Sequence, residues 1–451
     1  MNREHPPLAK LVAALPLLVL RPRLDTSDQS WKSSAEDLFG LKFLYGNDAD
    51  RLLFWSRAGM ILIAALGSGA TFLWARDLFG APAGVFAAAL YAFCPNLLAH
   101  GMLVTTDVPL AAFTVLTLYL FWKRGDRPSW RGDIITGLAL GAAMASKFSG
   151  SFLPLILIGF CLARKQVKSL FIMAGASLLV IEVAYLFSAS PLLYFRNMSF
   201  VNANHAKDYP FYLLGELKPG GWWYYFLVAF AVKATLPTLI LIVFATVEAT
   251  RGFINRWGEM ILLVTIGAYL FVISAAADQI GVRYILPIFP LVFIWVSRIV
   301  PDFLKTRMGS AAIAILIAWH AWSAIATFPN YIPYFNELAG GAANGPAFLD
   351  DSNVDWGQGL KQAAEYAGNR HIENLKVYSF DPFDGPGPQY YGLPKNLGTS
   401  EIRDRLLLNR PSPGTYIISS HYITRMRHLS PMWKTYAPID RVGESLWVFA
   451  F

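Results

Sequence analysis

The sequence predicts an all-α polytopic membrane protein of about ten transmembrane helices, with a small extracytoplasmic α/β domain at its C-terminal end. Three observations predict it. The 451 residues are 55% hydrophobic and only 15% charged, with positive mean hydropathy, a balance far more apolar than that of a soluble domain. Apolar stretches close to the roughly 20 residues that cross a bilayer recur over the first 327 positions. The loops between them are of two kinds, one short and rich in Lys and Arg, the other carrying carboxylates, His, Trp and Tyr.

Residues 1–50 read as an extracytoplasmic juxtamembrane segment. Positions 1–20 are too few to span comfortably and are interrupted by Pro6, Pro7 and Pro16, so they predict a helix lying in the interface. A signal-peptide reading competes through Lys10, but Arg21-Pro22-Arg23 stands where small cleavage-site residues belong. The membrane unit covers 51–327, with spans roughly at 52–75, 82–98, 105–122, 134–147, 151–163, 168–187, 223–247, 259–276, 284–299 and 310–327. The fourth and fifth are short and predict a tilt or break near 147–150.

Orientation follows from Arg76; Lys123, Arg124, Arg127 and Arg131; Arg164, Lys165 and Lys168; Arg251 and Arg256; and Arg298, Lys305 and Arg307. If the spans alternate, all of these fall on one side, which is then cytoplasmic. The net charge of +8 is thereby explained without a nucleic-acid partner. Cys94 and Cys161 lie near opposite ends of different spans, which argues against a disulfide or a shared metal. Residues 328–451 alternate strand-like 375–380, 416–420 and 446–451 with helices near 357–368 and 400–408, the pattern of a small α/β domain on the outer face.

The other set of loops carries the chemistry. Asp107 opens the third span, where a carboxylate either caps free amides or faces a polar cavity and touches substrate or a divalent metal. Lys147 lies at the outer end of the fourth span against the charge bias, either snorkelling or binding a phosphate. Arg283 offers a planar fork suited to phosphate, or pairs with Asp278 five residues earlier. The loop at about 188–221 holds His205 and Glu216 and leads into the aromatic run Trp222-Trp223-Tyr224-Tyr225, a belt at a membrane interface. In Asp350-Asp351-Ser352-Asn353-Val354-Asp355-Trp356-Gly357-Gln358 the alternating Asp351, Asn353 and Asp355 imitate half a calcium loop. Trp356 occupies the place of its glycine, so a polar turn capping the next helix is the better reading.

Taken together, Glu4-His5-Pro6-Pro7-Leu8-Ala9-Lys10, the Thr-Asp-Val-Pro around Asp107, the Ser-Lys around Lys147, Gly215-Glu216-Leu217 with the aromatic run, Gly281-Val282-Arg283 and the Asp-Ser-Asn-Val-Asp-Trp-Gly-Gln stretch resemble a bacterial member of the protein O-mannosyltransferase and aminoarabinose transferase superfamily, the GT-C glycosyltransferases. The resemblance covers nearly the whole chain. It implies a GT-C-like fold and sugar transfer, mannosyl-like, from a polyprenyl-phosphate donor to a protein or lipid acceptor outside the cytoplasm. It implies phosphate binding by Lys147 and Arg283, with His205 a weaker candidate, and a catalytic or acceptor-binding role for Asp107. His5, Glu216, Asp278, Asp351 and Asp355 are implied as substrate-binding or structural loop residues. The family's first transmembrane helix and the acidic loop bearing its base are expected before residue 1. Two other readings compete: a transporter or flippase, which predicts repeated halves with broken helices, and a noncatalytic membrane subunit.

Overall fold

The computed structural model describes residues 4–33, 35–125, 128–188, 193–203, 209–380, 385–398, 402–407 and 409–451, without the side chains of 202 and 403–405. Helix α1, Leu8–Leu20, lays Ala9 and Ala13 against Met60 and Ile63 of α2, Ala49–Phe79. The bundle continues through α3, Ala81–Ala92; α4, Pro95–Gly101; α5, Asp107–Lys123; α6, Trp130–Ser146; α7, Phe152–Ala163; and α8, Val167–Ala184. After α9, Leu193–Ala203, and a hairpin of β1, Pro210–Leu213, with β2, Glu216–Pro219, it resumes. The later helices are α10, Tyr225–Lys233; α11, Leu236–Ala249; α12, Arg256–Ala276; α13, Ile288–Val296; and α14, Arg307–Thr327.

A helix occupies each of the ten apolar stretches. Among the described residues, four helices are long and apolar enough to cross a membrane unbroken, or six if each of two bent pairs counts as one span. The chain is an integral membrane protein. The bends are the part that hydropathy conceals: α3 meets α4 at 61° and α10 meets α11 at 111°. A break inside a membrane leaves carbonyls that water cannot reach. Here Asn336 Nδ2 donates to the Ala231 and Ala234 carbonyls, the Asn336 amide donates to Val232, and Asn96 Nδ2 donates to Lys233. The acceptors at the break are satisfied by protein.

Small residues bring helices together where lipid supplies no hydrophobic drive. A Cβ at Gly137 would lie 2.6 Å from the Met173 carbonyl and one at Gly141 2.6 Å from that of Ser177, so this Gly-x-x-x-Gly of α6 sets its close approach to α8. That packing places the C-terminal end of α6, where Lys147 follows.

The C-terminal region holds a four-stranded sheet ordered β3-β4-β6-β5, from Leu375–Tyr378, Thr415–Ser419, Asp440–Val442 (β5) and Leu446–Ala450 (β6). The first pair is parallel and the other two antiparallel. Along β6 the period-2 alternation is complete. Leu446 and Val448 join Ile417 and α15, Leu360–Asn369, on one face; Trp447 and Phe449 join Trp433 and α16, Ser420–Leu429, on the other. Covering both faces makes a three-layer α/β/α unit.

Candidate active site

Asp107 is the first residue of α5, and its side chain caps nothing there. It turns instead to Lys147, whose Nζ donates to Oδ1 at 2.6 Å in a buried ion pair. Lys147 is in reach because α6 ends at Ser146 and the chain turns extended, then enters a 3₁₀ turn at Phe148–Ser151. Gly150 permits this, since a Cβ there would sit 2.6 Å from the Ala143 carbonyl. The Lys147 ammonium also lies 4.1 Å from the centroid of the Tyr284 ring.

Arg283 completes the cluster from the 3₁₀ turn Val282–Ile285, its Nη1 3.8 Å from Asp107 Oδ2. Its Nε donates to Ser352 Oγ at 3.1 Å, and that hydroxyl donates to the Ile280 carbonyl. Asn353 Oδ1 accepts from the Val282 amide, while its Nδ2 reaches the Tyr225 hydroxyl and the Asp350 carbonyl. The polar turn at 350–358 is thus clamped onto the segment that carries Arg283. Trp356 faces the guanidinium at 4.7 Å and lies against the His100 ring, with centroids 5.9 Å apart.

Lys233 was not singled out by sequence. It is fully buried, donates to the Ile332 and Asn353 carbonyls at 2.8 and 2.9 Å, and lies 4.4 Å from the Phe335 ring centroid. Its position as the lone charge in 223–247 was the available signal. His100, buried at the end of α4, was missed because a histidine near an apolar stretch stands out little.

The other predicted residues distribute as follows. His5 lies within electrostatic reach of Lys147, Asp107 and Arg283; burial first, then the Lys147 ammonium, pushes its imidazole down to about 3. Asp278 is half-buried and within electrostatic reach of Arg283 and Lys147. Glu216 is exposed on β2. His205 lies outside the described residues. Asp351 is buried, donates its amide to His421 Nδ1, and accepts from the Ser352 amide; burial pushes its carboxyl up. Asp350 pairs with Arg425 at 2.8 Å. Asp355 accepts from Ser419 Oγ at 2.5 Å and from the Gly357 amide, and burial pushes its carboxyl up to about 6. Among the described residues no three His, Cys, Asp or Glu side chains gather as a metal would require. The arrangement is two cations and an aromatic face around one carboxylate, suited to an oxyanion.

Residues 51–195 match the profile of the family described as dolichyl-phosphate-mannose-protein mannosyltransferase. The match covers less than half of the 451 residues. No curated protein sequence matches significantly. Among solved structures, ArnT from Cupriavidus metallidurans bound to undecaprenyl phosphate aligns with 16% identity and a TM-score of 0.49, covering 99% of this chain and 88% of that one. The oligosaccharyltransferase AglB from Archaeoglobus fulgidus, in complex with an inhibitory peptide and a dolichol-phosphate, aligns with 13% identity and a TM-score of 0.42, covering 85% and 62%. The matched segment holds the helices that bring Asp107 and Lys147, while Arg283 and the polar turn lie beyond it.

Proposed function

We propose that this chain transfers a sugar, mannosyl-like, from a polyprenyl-phosphate donor to a protein or lipid acceptor at the extracytoplasmic face. The observation that carries the reading is the convergence of Lys147 and Arg283 on Asp107, at the end of the bundle opposite the Lys- and Arg-rich loops. Arg283 stands 3.8 Å from the carboxylate, a loose pairing that leaves its donors free to turn to a phosphate. In transfer, the acceptor oxygen or nitrogen attacks the anomeric carbon and the bond to the phosphate breaks. The two cations then stabilise the charge that develops on the departing lipid phosphate. Asp107, with one oxygen on each cation, holds them apart before donor binds. His5 stands near the same charges and contributes an uncharged donor or acceptor.

A transporter shares one trait with this chain, the broken helix pairs. The α10–α11 break, however, is capped by Asn336 and Asn96, which favours a fixed scaffold over an ion path. The test is turnover of a panel of polyprenyl-phosphate hexoses and pentoses by the purified chain in proteoliposomes, with a native membrane extract as acceptor source. Lys147→Ala and Arg283→Ala should each lower kcat/KM by about 10²–10³ while the protein still inserts. Unchanged donor turnover in both variants would sink the phosphate assignment.

A further inference from the structure

Lys233 is a buried charge that the phosphate cluster does not use. It is 1% exposed, and its Nζ donates to two uncharged oxygens, the carbonyls of Ile332 at 2.8 Å and of Asn353 at 2.9 Å. An ammonium inside an apolar bundle is costly, and function is the usual reason one is kept there. An apolar side chain would fill the same space; what the charge adds is several donors at one fixed point. The point is fixed because the bundle pins the backbone beneath it. Asn96 Nδ2 donates to the Lys233 carbonyl at 2.7 Å, and the Asn336 amide donates to that of Val232 at 2.9 Å. What the ammonium grips leads to Arg283. Asn353 Oδ1 accepts from the Val282 amide at 2.9 Å, and Val282 directly precedes Arg283. The neighbouring Ser352 receives Arg283 Nε at 3.1 Å and donates to the Ile280 carbonyl at 2.6 Å. Every link from the ammonium to the guanidinium is a hydrogen bond or a covalent bond.

We propose that Lys233 is a positioning residue for the phosphate site: its ammonium sets the polar turn at 350–358, and the turn sets Arg283. The proposal rests on the reading of Arg283 as a ligand of the donor phosphate. Without the ammonium, the Ile332 and Asn353 carbonyls lose a charged donor in a buried place, a loss that the turn relieves by shifting. Ser352 and Asn353 shift with it. Arg283 then meets the phosphate from a displaced position, and a displacement of about 1 Å can cost about 10²-fold in rate. Lys233 itself touches no substrate in this arrangement. Its influence on the donor runs entirely through Arg283.

The experiment is a double-mutant cycle on the full chain in proteoliposomes, read by binding of polyprenyl phosphate alone and by turnover of the donor panel, with the thermal midpoint followed alongside. Lys233→Met keeps an unbranched apolar chain and removes the donors. In the parent background it should weaken polyprenyl phosphate binding about tenfold and lower kcat/KM by about 10–10². In an Arg283→Ala background the same change should alter binding by less than twofold, because the residue being positioned is gone. A merely structural Lys233 lowers the thermal midpoint and weakens binding equally in both backgrounds, a result that overturns the assignment. Binding within twofold of the parent in Lys233→Met overturns it as well. If the methionine variant does not fold, Lys233→Gln is carried through the same cycle, and failure of both to fold overturns the assignment by making the ammonium a requirement of the fold. Failure of the underlying reading looks different. A parent that does not bind polyprenyl phosphate, or an Arg283→Ala variant that binds it as the parent does, removes the phosphate role of Arg283 itself; this inference fails alone when Arg283→Ala loses binding and Lys233→Met keeps it.

Discussion

A Cβ at Gly281 would lie 2.3 Å from Ser352 Oγ, and Ser352 is the hydroxyl that receives Arg283 Nε. Gly281→Ala must therefore displace the Ser352 hydroxyl and loosen the hold of the polar turn on the segment bearing Arg283. Because a misplacement of about 1 Å can cost about 10²-fold in rate, donor kcat/KM should fall at least about tenfold, with binding of polyprenyl phosphate weakened in parallel. Steady-state kinetics over a donor series checks this; parent-like constants would show that the turn and Arg283 move independently. The three charges of the cluster were legible in sequence because each is an ionisable group at the edge of an apolar stretch, where only pairing or function justifies it. What sequence left open was the partner. Arg283 approaches the carboxylate of Asp107, from a distant helix, and only the crossing of α5, α6 and the 3₁₀ turn brings them together. Lys233 went unseen because the apolar run around it reads as one uninterrupted span, whereas the chain turns through 111° just after it.

At the scale of elements, the polar turn at 350–358 is held from both sides, by the membrane helices and by the C-terminal unit. Asp355 is the anchor on the second side, accepting from Ser419 at the end of β4 and from the Gly357 amide. Its carboxyl titrates near 6 in the folded chain because burial disfavours the anion, against about 3.9 for an unperturbed Asp. Between those two values the folded state binds more protons than the unfolded state, so stability falls as pH rises through that window and levels off above it. Asp355→Asn removes the ionisation and keeps an acceptor for Ser419. The thermal midpoint of the variant should vary less than that of the parent between about pH 4 and pH 6, and be higher at neutral pH. A parent whose midpoint rises across that window would contradict the placement of Asp355. The sheet that presents Ser419 was foreseen from alternation in β3, β4 and β6; β5, with three residues, was too short to register a period.

Across the whole molecule the two ends of the bundle use charge differently. At the end with the basic loops, Arg124 meets Asp133 at 2.7 Å and Arg298 meets Glu259 at 2.6 Å, with all four side chains nearly inaccessible. Sequence read those arginines as cytoplasmic orientation signals, and they also serve as internal struts: Arg124 further binds Gln166, and Arg298 the Gly252 carbonyl. At the other end Arg283 remains partly accessible and stands 3.8 Å from its carboxylate. A closed pair contributes to the fold, and a loose one can exchange its partner for a ligand. Arg298→Ala would leave Glu259 buried without its cation, a defect that costs about 3–5 kcal/mol when such pairs are broken. The variant should therefore unfold at markedly lower temperature or denaturant, yet bind polyprenyl phosphate within twofold of the parent wherever it remains folded. Lys147→Ala should reverse that pattern, with phosphate affinity falling by more than the thermal midpoint accounts for. Measuring both properties in both variants separates the ends. If Arg298→Ala weakens phosphate binding as strongly as Lys147→Ala, the bundle transmits strain along its length and the division between scaffold and site does not hold.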